Sequence, residues 1–215
     1  MNWKRIPKEV SIPPTTGVYS DWKPQLSVEG FHHCVYCTIS EANFGGIRNF
    51  HVEHLRPKGD SRFRGLENDY SNLFYACAIC NTFKSDDWPN DPIESFNIAF
   101  YPDPSKVDYS DLFELTGAGE VLGKNFTATY LVSKIYLNRP QLVLDRKIRI
   151  LENIYSEVMS QIRMQKQFLF DSVASGNLDA LELLRELDSK IQELEKIFHG
   201  RDTTIPYVDD QTRRK

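Results

Sequence analysis

Four cysteines fall into two tight pairs, Cys34-Val35-Tyr36-Cys37 and Cys77-Ala78-Ile79-Cys80. A CxxC turn aims two sulfurs inward from a single bend, so two such turns supply the four soft ligands of a tetrahedral zinc ion. The start, MNWKRIPKEVSIPP, lacks the apolar stretch of a secretory signal. The thiols are therefore expected to stay reduced, in the cytoplasm, and to form a metal site rather than a disulfide framework. Four thiolates leave no position open for water, so this zinc is structural. The competing reading is four buried, inert cysteines. His32, His33, His51 and His54 all lie between the first pair and the middle of the insert or just before it. Chemistry is thus concentrated in the segment that the zinc would close on itself.

The insert contains RNFHVEHLRPKGDSRFRGLENDYSNLF, and the second pair continues as AICNTFKSD. Glu53-His54 followed by Leu55-x-Pro57, then Asn72-Leu73, then Cys77-x-x-Cys80-Asn81-x-x-Lys84, resembles the HNH nuclease family. That family has a ββα-metal core, often clamped by two zinc knuckles. The resemblance implies that Glu53 binds a divalent metal and that His54 is the general base. It further implies that Asn72 orients the histidine and that Asn81 completes the metal site. The name-giving motif has histidine where Asn81 stands. An amide oxygen there moves the expected metal toward harder ions, Mg²⁺ or Mn²⁺.

The chemistry of these residues agrees with the resemblance. Phosphodiester hydrolysis needs an activated water, a Lewis acid on the scissile phosphate and help for the leaving oxygen. An imidazole titrating near neutrality can deprotonate water, and a carboxylate plus an amide oxygen suits Mg²⁺. Neighbours on a regular strand point to opposite faces, so Glu53 and His54 share a site only where the strand bends or ends, as Pro57 suggests. His51 and His54 are expected to diverge, which leaves His51 a supporting or structural residue. Taken singly, Glu53 reads as a solvated charge, His54 as a satisfied histidine and Asn72 as a turn cap. Arg56, Lys58, Arg62 and Arg64, with Lys84 one helical turn beyond Asn81, form a basic cluster suited to phosphates. An ordinary solvated loop is the alternative.

The elements that must position these groups follow from periodicity. Residues 1–30, with Pro7, Pro13, Pro14 and Pro24, read as an irregular arm anchored by Trp3 and Trp22. Residues 31–95 form the nuclease core with its four-cysteine zinc site. Residues 96–126 form a linker, with a half-buried strand at Phe96, Ile98 and Phe100 and a glycine-turn hairpin from Leu112 to Leu122. Residues 127–200 are helical, and 201–215 form a loose tail. A short helix stops before Asn138-Arg139-Pro140. Ile148, Leu151, Tyr155, Val158 and Ile162 then mark one amphipathic helix, and Leu184, Leu187, Ile191, Leu194 and Phe198 a second. Ser175-Gly176-Asn177 breaks them into an antiparallel hairpin, with Asn177 as a cap. The fold class is α+β: a small ββα-metal core followed by a mostly helical C-terminal part.

Composition excludes the broad alternatives. At 215 residues, 40% hydrophobic and 26% charged, the chain is neither disordered nor membrane-spanning, and a net charge of −4 leaves nucleic-acid binding to local charge. FYPDPSKVDYSDLFELTGAGEVLG and YLVSKIYLNRPQLVLDR resemble the C-terminal part of HNH nucleases from Septu-type and retron-linked anti-phage systems. That resemblance implies DNA cleavage in defence, beside an ATPase partner that would dock on the helical hairpin. The rivals are a catalytically silent zinc module that binds nucleic acid, and a scaffold subunit whose helical part does the work.

Overall fold

The computed structural model describes residues 3–8 and 17–200. It divides into two compact units, one ending at Val143 and the other beginning at Leu144.

In the first unit a 3-10 turn at Tyr19–Trp22 leads into helix α1 (Lys23–Glu29), with Pro24 in its first turn. Proline is tolerated there because a first-turn amide has no intrahelical acceptor to lose. The segment expected to be an irregular arm therefore carries a helix. Trp3 and Trp22 are buried as anchors, and the Trp3 indole donates to the Tyr36 carbonyl at 2.8 Å.

Strand β1 (Phe50–His54) pairs antiparallel with β2 (Leu73–Cys77), in a register running from Phe50 opposite Cys77 to His54 opposite Leu73. All of β2 is buried, and the Phe50 and Tyr75 rings stack across the pair at 4.6 Å. The chain passes directly from β2 into α2 (Ala78–Lys84), which completes a ββα unit.

Strands β3 (Phe113–Leu115) and β4 (Val121–Gly123) form the expected hairpin, closed through Gly119 at φ 83°. A side chain at Gly123 would have its Cβ 2.3 Å from the Thr129 amide, so the approach of β4 to helix α3 (Phe126–Lys134) requires glycine. The Asn125 side chain caps α3 by accepting from the Ala128 amide at 2.8 Å. Pro140 opens α4 (Pro140–Ala174), as its place after Asn138-Arg139 predicts.

Phe96, Ile98 and Phe100 form no strand. Phe96 sits at φ 51°, a left-handed conformation that breaks an extended run, and the alternation reports burial alone. This stretch packs into the same core as the Cys/His segment. Thr127 Oγ1 donates to the Ile98 carbonyl at 2.7 Å, and Asp87 accepts from the hydroxyls of both Tyr101 and Tyr130. The first unit thus takes in residues 96–143, which composition alone presents as a linker and the start of the helical part.

The second unit holds the rest of α4 and helix α5 (Asp179–His199). Gly176, at φ 97°, turns the chain, and Asn177 Oδ1 accepts from the Asp179 amide at 3.2 Å. The helices run antiparallel: Tyr155 stacks on Phe198 at 3.9 Å while Lys166 pairs with Asp188. Met159, Ala180 and Leu184 are buried in this unit. The α4 stripe is displaced from the expected one, since Leu151 and Val158 are exposed and Met159 faces inward. A 3-4-3-4 spacing fits more than one helical face, and the hairpin partner selects among them.

The architecture is α+β with a mostly helical C-terminal part, as the sequence predicts. No helix among the described residues is long and apolar enough to cross a membrane. The tail expected at 201–215 lies outside the described residues.

Candidate active site and cysteine cluster

Two turns build the cysteine cluster. In the first, the Thr38 amide donates to the Cys34 carbonyl and the Cys34 amide to the Ile39 carbonyl, each at 2.9 Å. Thr38 takes a positive φ of 58° to close this turn. In the second, Cys77 is the N-cap of α2 and its sulfur accepts the Cys80 amide at 3.5 Å. The four sulfurs lie within 4.8 Å of one another, with Cys37 and Cys77 3.8 Å apart, and all four residues are buried. Zinc–sulfur bonds of about 2.3 Å in a tetrahedron put sulfurs roughly 3.8 Å apart, so the cluster fits that ion. Burial pushes the Cys34 and Cys80 thiols well up. For Cys37, burial is outweighed by hydrogen bonds from the other three cysteines and by the Arg139 guanidinium, which hold it well below the ordinary range.

Beside the cluster, β1, the loop after it, α2 and the Tyr19–Trp22 turn enclose a cleft of about 590 Å³. Glu53, His54 and Asn81 all line it, and His51 does as well, although i and i+3 on a regular strand should diverge. The strand geometry explains how Glu53 and His54 share the cleft. His54 is the last residue of β1, and after one further ladder bond, from the Leu55 amide to the Asn72 carbonyl at 2.9 Å, the chain bends at Leu55-Arg56.

Glu53 is 3% exposed, and its Oε1 accepts from Lys84 Nζ at 2.7 Å and from the Tyr36 hydroxyl at 3.2 Å. Both bonds fall on one oxygen, which leaves Oε2 for a cation. Burial raises the Glu53 carboxyl, Lys84 and Tyr36 oppose that shift, and the charge of Asp86 adds to it. Lys84, expected to face phosphate, is fully buried, and Nζ also donates to the His54 carbonyl at 2.8 Å. A buried ammonium needs charge and hydrogen-bond partners, and those it has are the two site residues of β1. Lys84 therefore holds the site from inside and does not reach a phosphate.

His54 Nε2 lies 2.9 Å from the Glu67 carbonyl. A carbonyl only accepts, so this bond puts the proton on Nε2 and leaves the lone pair on Nδ1. Burial lowers the His54 pKa, with the Glu67 carbonyl bond partly opposing. The Tyr19 ring packs edge-on against the imidazole at 4.7 Å.

Asn72, expected to orient His54, bonds elsewhere. Its Oδ1 accepts from the Arg56 amide at 2.8 Å, and its Nδ2 donates to the carbonyls of Arg56 at 3.0 Å and Leu66 at 3.3 Å. It clamps the loop that leaves His54 and acts on the imidazole only through that backbone.

The basic residues divide. Lys58 lines the cleft, with Nζ donating to the Tyr19 hydroxyl at 2.6 Å, and Lys23 lines it too. Arg56 lines a different cleft, its guanidinium 5.9 Å from the Trp88 ring. Arg62 is exposed and clasped by Asp60 at 2.6 Å, and Arg64 is exposed without sharing the cleft.

Sequence reasoning missed Asp86, Tyr36, Tyr19 and Lys23. Asp86 lines the cleft, and its carboxylate lies so close to Gly59 that a Cβ there would sit 2.6 Å away. Its place two residues after Lys84 was a usable signal. Tyr36 lies between the paired cysteines, which drew attention away from it. Nothing local marks Tyr19. Glu53, Asn81 and Asp86 all line the cleft with oxygen-bearing side chains, hard donors of the kind a divalent cation would meet there.

Residues 34–87 match the HNH endonuclease family. The matched span begins at the first knuckle cysteine and ends just beyond α2, so it contains both cysteine pairs together with Glu53, His54, Asn72, Asn81 and Asp86. No curated protein and no solved structure matches the chain. Nucleic-acid hydrolysis is the usual activity of that family, and the β1–β2–α2 unit within the matched span is the ββα arrangement the sequence led us to expect.

Proposed function

We propose that the chain is a metal-dependent HNH endonuclease whose general base is His54 and whose cation is held by Glu53 and Asn81, with Asp86 beside them. The observation that carries the reading is that Glu53, His54 and Asn81, from a strand and a helix, line one cleft within residues 34–87. A bound divalent cation would supply Lewis-acid activation of the scissile phosphate. The protein's own groups do the rest. His54 Nδ1 takes the proton of the attacking water, and the Glu67 carbonyl fixes the tautomer that makes this possible. Burial keeps the imidazole neutral, the form a base needs. Lys84 and Tyr36 hold the Glu53 carboxylate by one oxygen. Lys58 and Lys23 offer positive charge to a phosphate backbone entering the cleft. The cysteine cluster, as a structural zinc site, fixes both turns that frame the β strands.

The narrower reading is a DNA nuclease of an anti-phage system, partnered by an ATPase. It rests on the resemblance of residues 100–123 and 130–146 alone. The deciding experiment is cleavage of plasmid DNA and of RNA in Mg²⁺ or Mn²⁺, with His54→Ala as control. Metal-dependent cleavage lost in His54→Ala supports the reading. A folded, zinc-loaded wild-type protein that binds both substrates and cuts neither would leave a silent zinc module instead.

A further inference from the structure

Arg139 lies far from the cysteines in sequence, between α3 and α4, yet its side chain ends at their cluster. Nη2 is 3.6 Å from the Cys37 sulfur, 3.8 Å from Cys77 and 3.5 Å from Cys80. These nearly equal distances put the guanidinium over one face of the four-sulfur group. Nη1 turns the other way, toward the Tyr136 carbonyl at 3.3 Å and the Ile135 carbonyl at 3.5 Å, where α3 ends. The residue is only 5% exposed. A buried guanidinium needs opposing charge, and the charges that act on Arg139 are those of Cys80, Cys37 and Cys77. The opposing charge within reach is on sulfur.

We propose that Arg139 is the cationic cap of the zinc site, holding the thiolates by N–H···S hydrogen bonds and tying the end of α3 to the metal. The proposal rests on the reading of the cluster as a zinc site. Four thiolates around Zn²⁺ carry a net charge of −2, and burial makes that charge costly. A guanidinium at three of the sulfurs offsets half of it. Donated hydrogen bonds also draw electron density from the thiolates, which makes them poorer targets for protons and electrophiles, the agents that release zinc. The planar fork matters. Only a group with donors on two edges can serve the sulfurs and the helix-end carbonyls together, and lysine cannot. A residue outside the matched 34–87 span would thus belong to the zinc site, adding one contact to those by which 96–143 packs into the first unit.

The test uses the full chain as wild type, Arg139→Met and Arg139→Lys, with zinc content and the rate of zinc transfer to a chromophoric chelator as readouts. Loss of a residue supporting metal ligands costs about 10–100-fold in metal affinity. Arg139→Met should therefore release zinc on the order of ten times faster or more, with Arg139→Lys in between. Replacing zinc by cobalt gives a second readout, because lost N–H···S bonds shift the thiolate-to-cobalt charge-transfer band even in a folded, fully loaded protein. A folded Arg139→Met protein with wild-type release and an unshifted band would overturn the proposal. If Arg139→Met does not fold, the same two results in Arg139→Lys would overturn it. Wild-type protein without zinc would instead remove the zinc reading, and the cap with it.

Discussion

At His54 one hydrogen bond decides which nitrogen can do chemistry. The Glu67 carbonyl accepts a hydrogen bond from Nε2–H, so Nδ1 carries the lone pair that the proposed base would use. His54→Ala should lower the cleavage rate by about 10²–10⁴-fold and leave the fold in place, as circular dichroism would check. Burial lowers the His54 pKa, so the acid limb of the pH–rate profile should fall below the ordinary histidine value of about 6.5. The sign carries over to stability. Below about pH 6.5 the unfolded chain protonates this histidine before the folded one does, so stability falls from there down to the lowered folded value. Denaturant titrations of His54→Ala should show that loss reduced. At Lys84 the expectation concerns charge. Lys84→Met leaves Glu53 buried and unpaired, at a cost of about 3–5 kcal/mol, whereas Glu53→Gln with Lys84→Met should regain much of it. Mn²⁺ binding should be lost in both. Retained Mn²⁺ binding in Lys84→Met would mean that Glu53 needs no internal partner.

At the scale of elements, α2 does two jobs from its two ends. Its N-terminal turn carries Cys80 to the cluster, and its far side brings Asn81 and Lys84 to β1. The site is therefore only as rigid as the knuckle that starts the helix. On the zinc reading, Cys80→Ser removes a ligand to a metal that would contribute folding free energy, so residues 31–90 should lose cooperative melting and protease resistance. Activity should fall as a consequence, the reverse order of events from His54→Ala. A Cys80→Ser protein that stays protease-resistant and active without zinc would separate the cluster from the site.

For the whole molecule, a net charge of −4 has to coexist with binding a polyanion. Lys23 and Lys58 stand on the cleft wall with Glu53 and Asp86, whose charge a bound divalent cation would offset. Arg62 is paired with Asp60 at 2.6 Å, and Lys58 lies 3.8 Å from Glu67. Binding measured by fluorescence anisotropy in the His54→Ala background should lose about one unit of log–log salt slope in Lys58→Ala. Arg62→Ala should change it less. The opposite ranking would put the nucleic acid on the outer face of the 56–64 loop.

The sequence by itself determined what local spacing can encode. The CxxC turns, the hairpin at 113–123 and the break at Gly176 were legible because each depends on neighbours within a few residues, whereas Glu53, His54 and Asn81 were picked out by resemblance to a motif spread over residues 53–84. Tertiary structure decided the rest. Whether Lys84 meets phosphate or Glu53 depends on how α2 packs on β1, since the same ammonium suits either partner. Whether Asn72 bonds the imidazole or the Arg56 backbone depends on where the loop turns after Leu55. The Phe96–Phe100 alternation reported burial without a strand, because burial has period two wherever side chains alternate and a strand also needs a partner edge. Arg139 carried no signal at all. Its partners are sulfurs at positions 37, 77 and 80, and only the folded chain brings a charge from so far away to them.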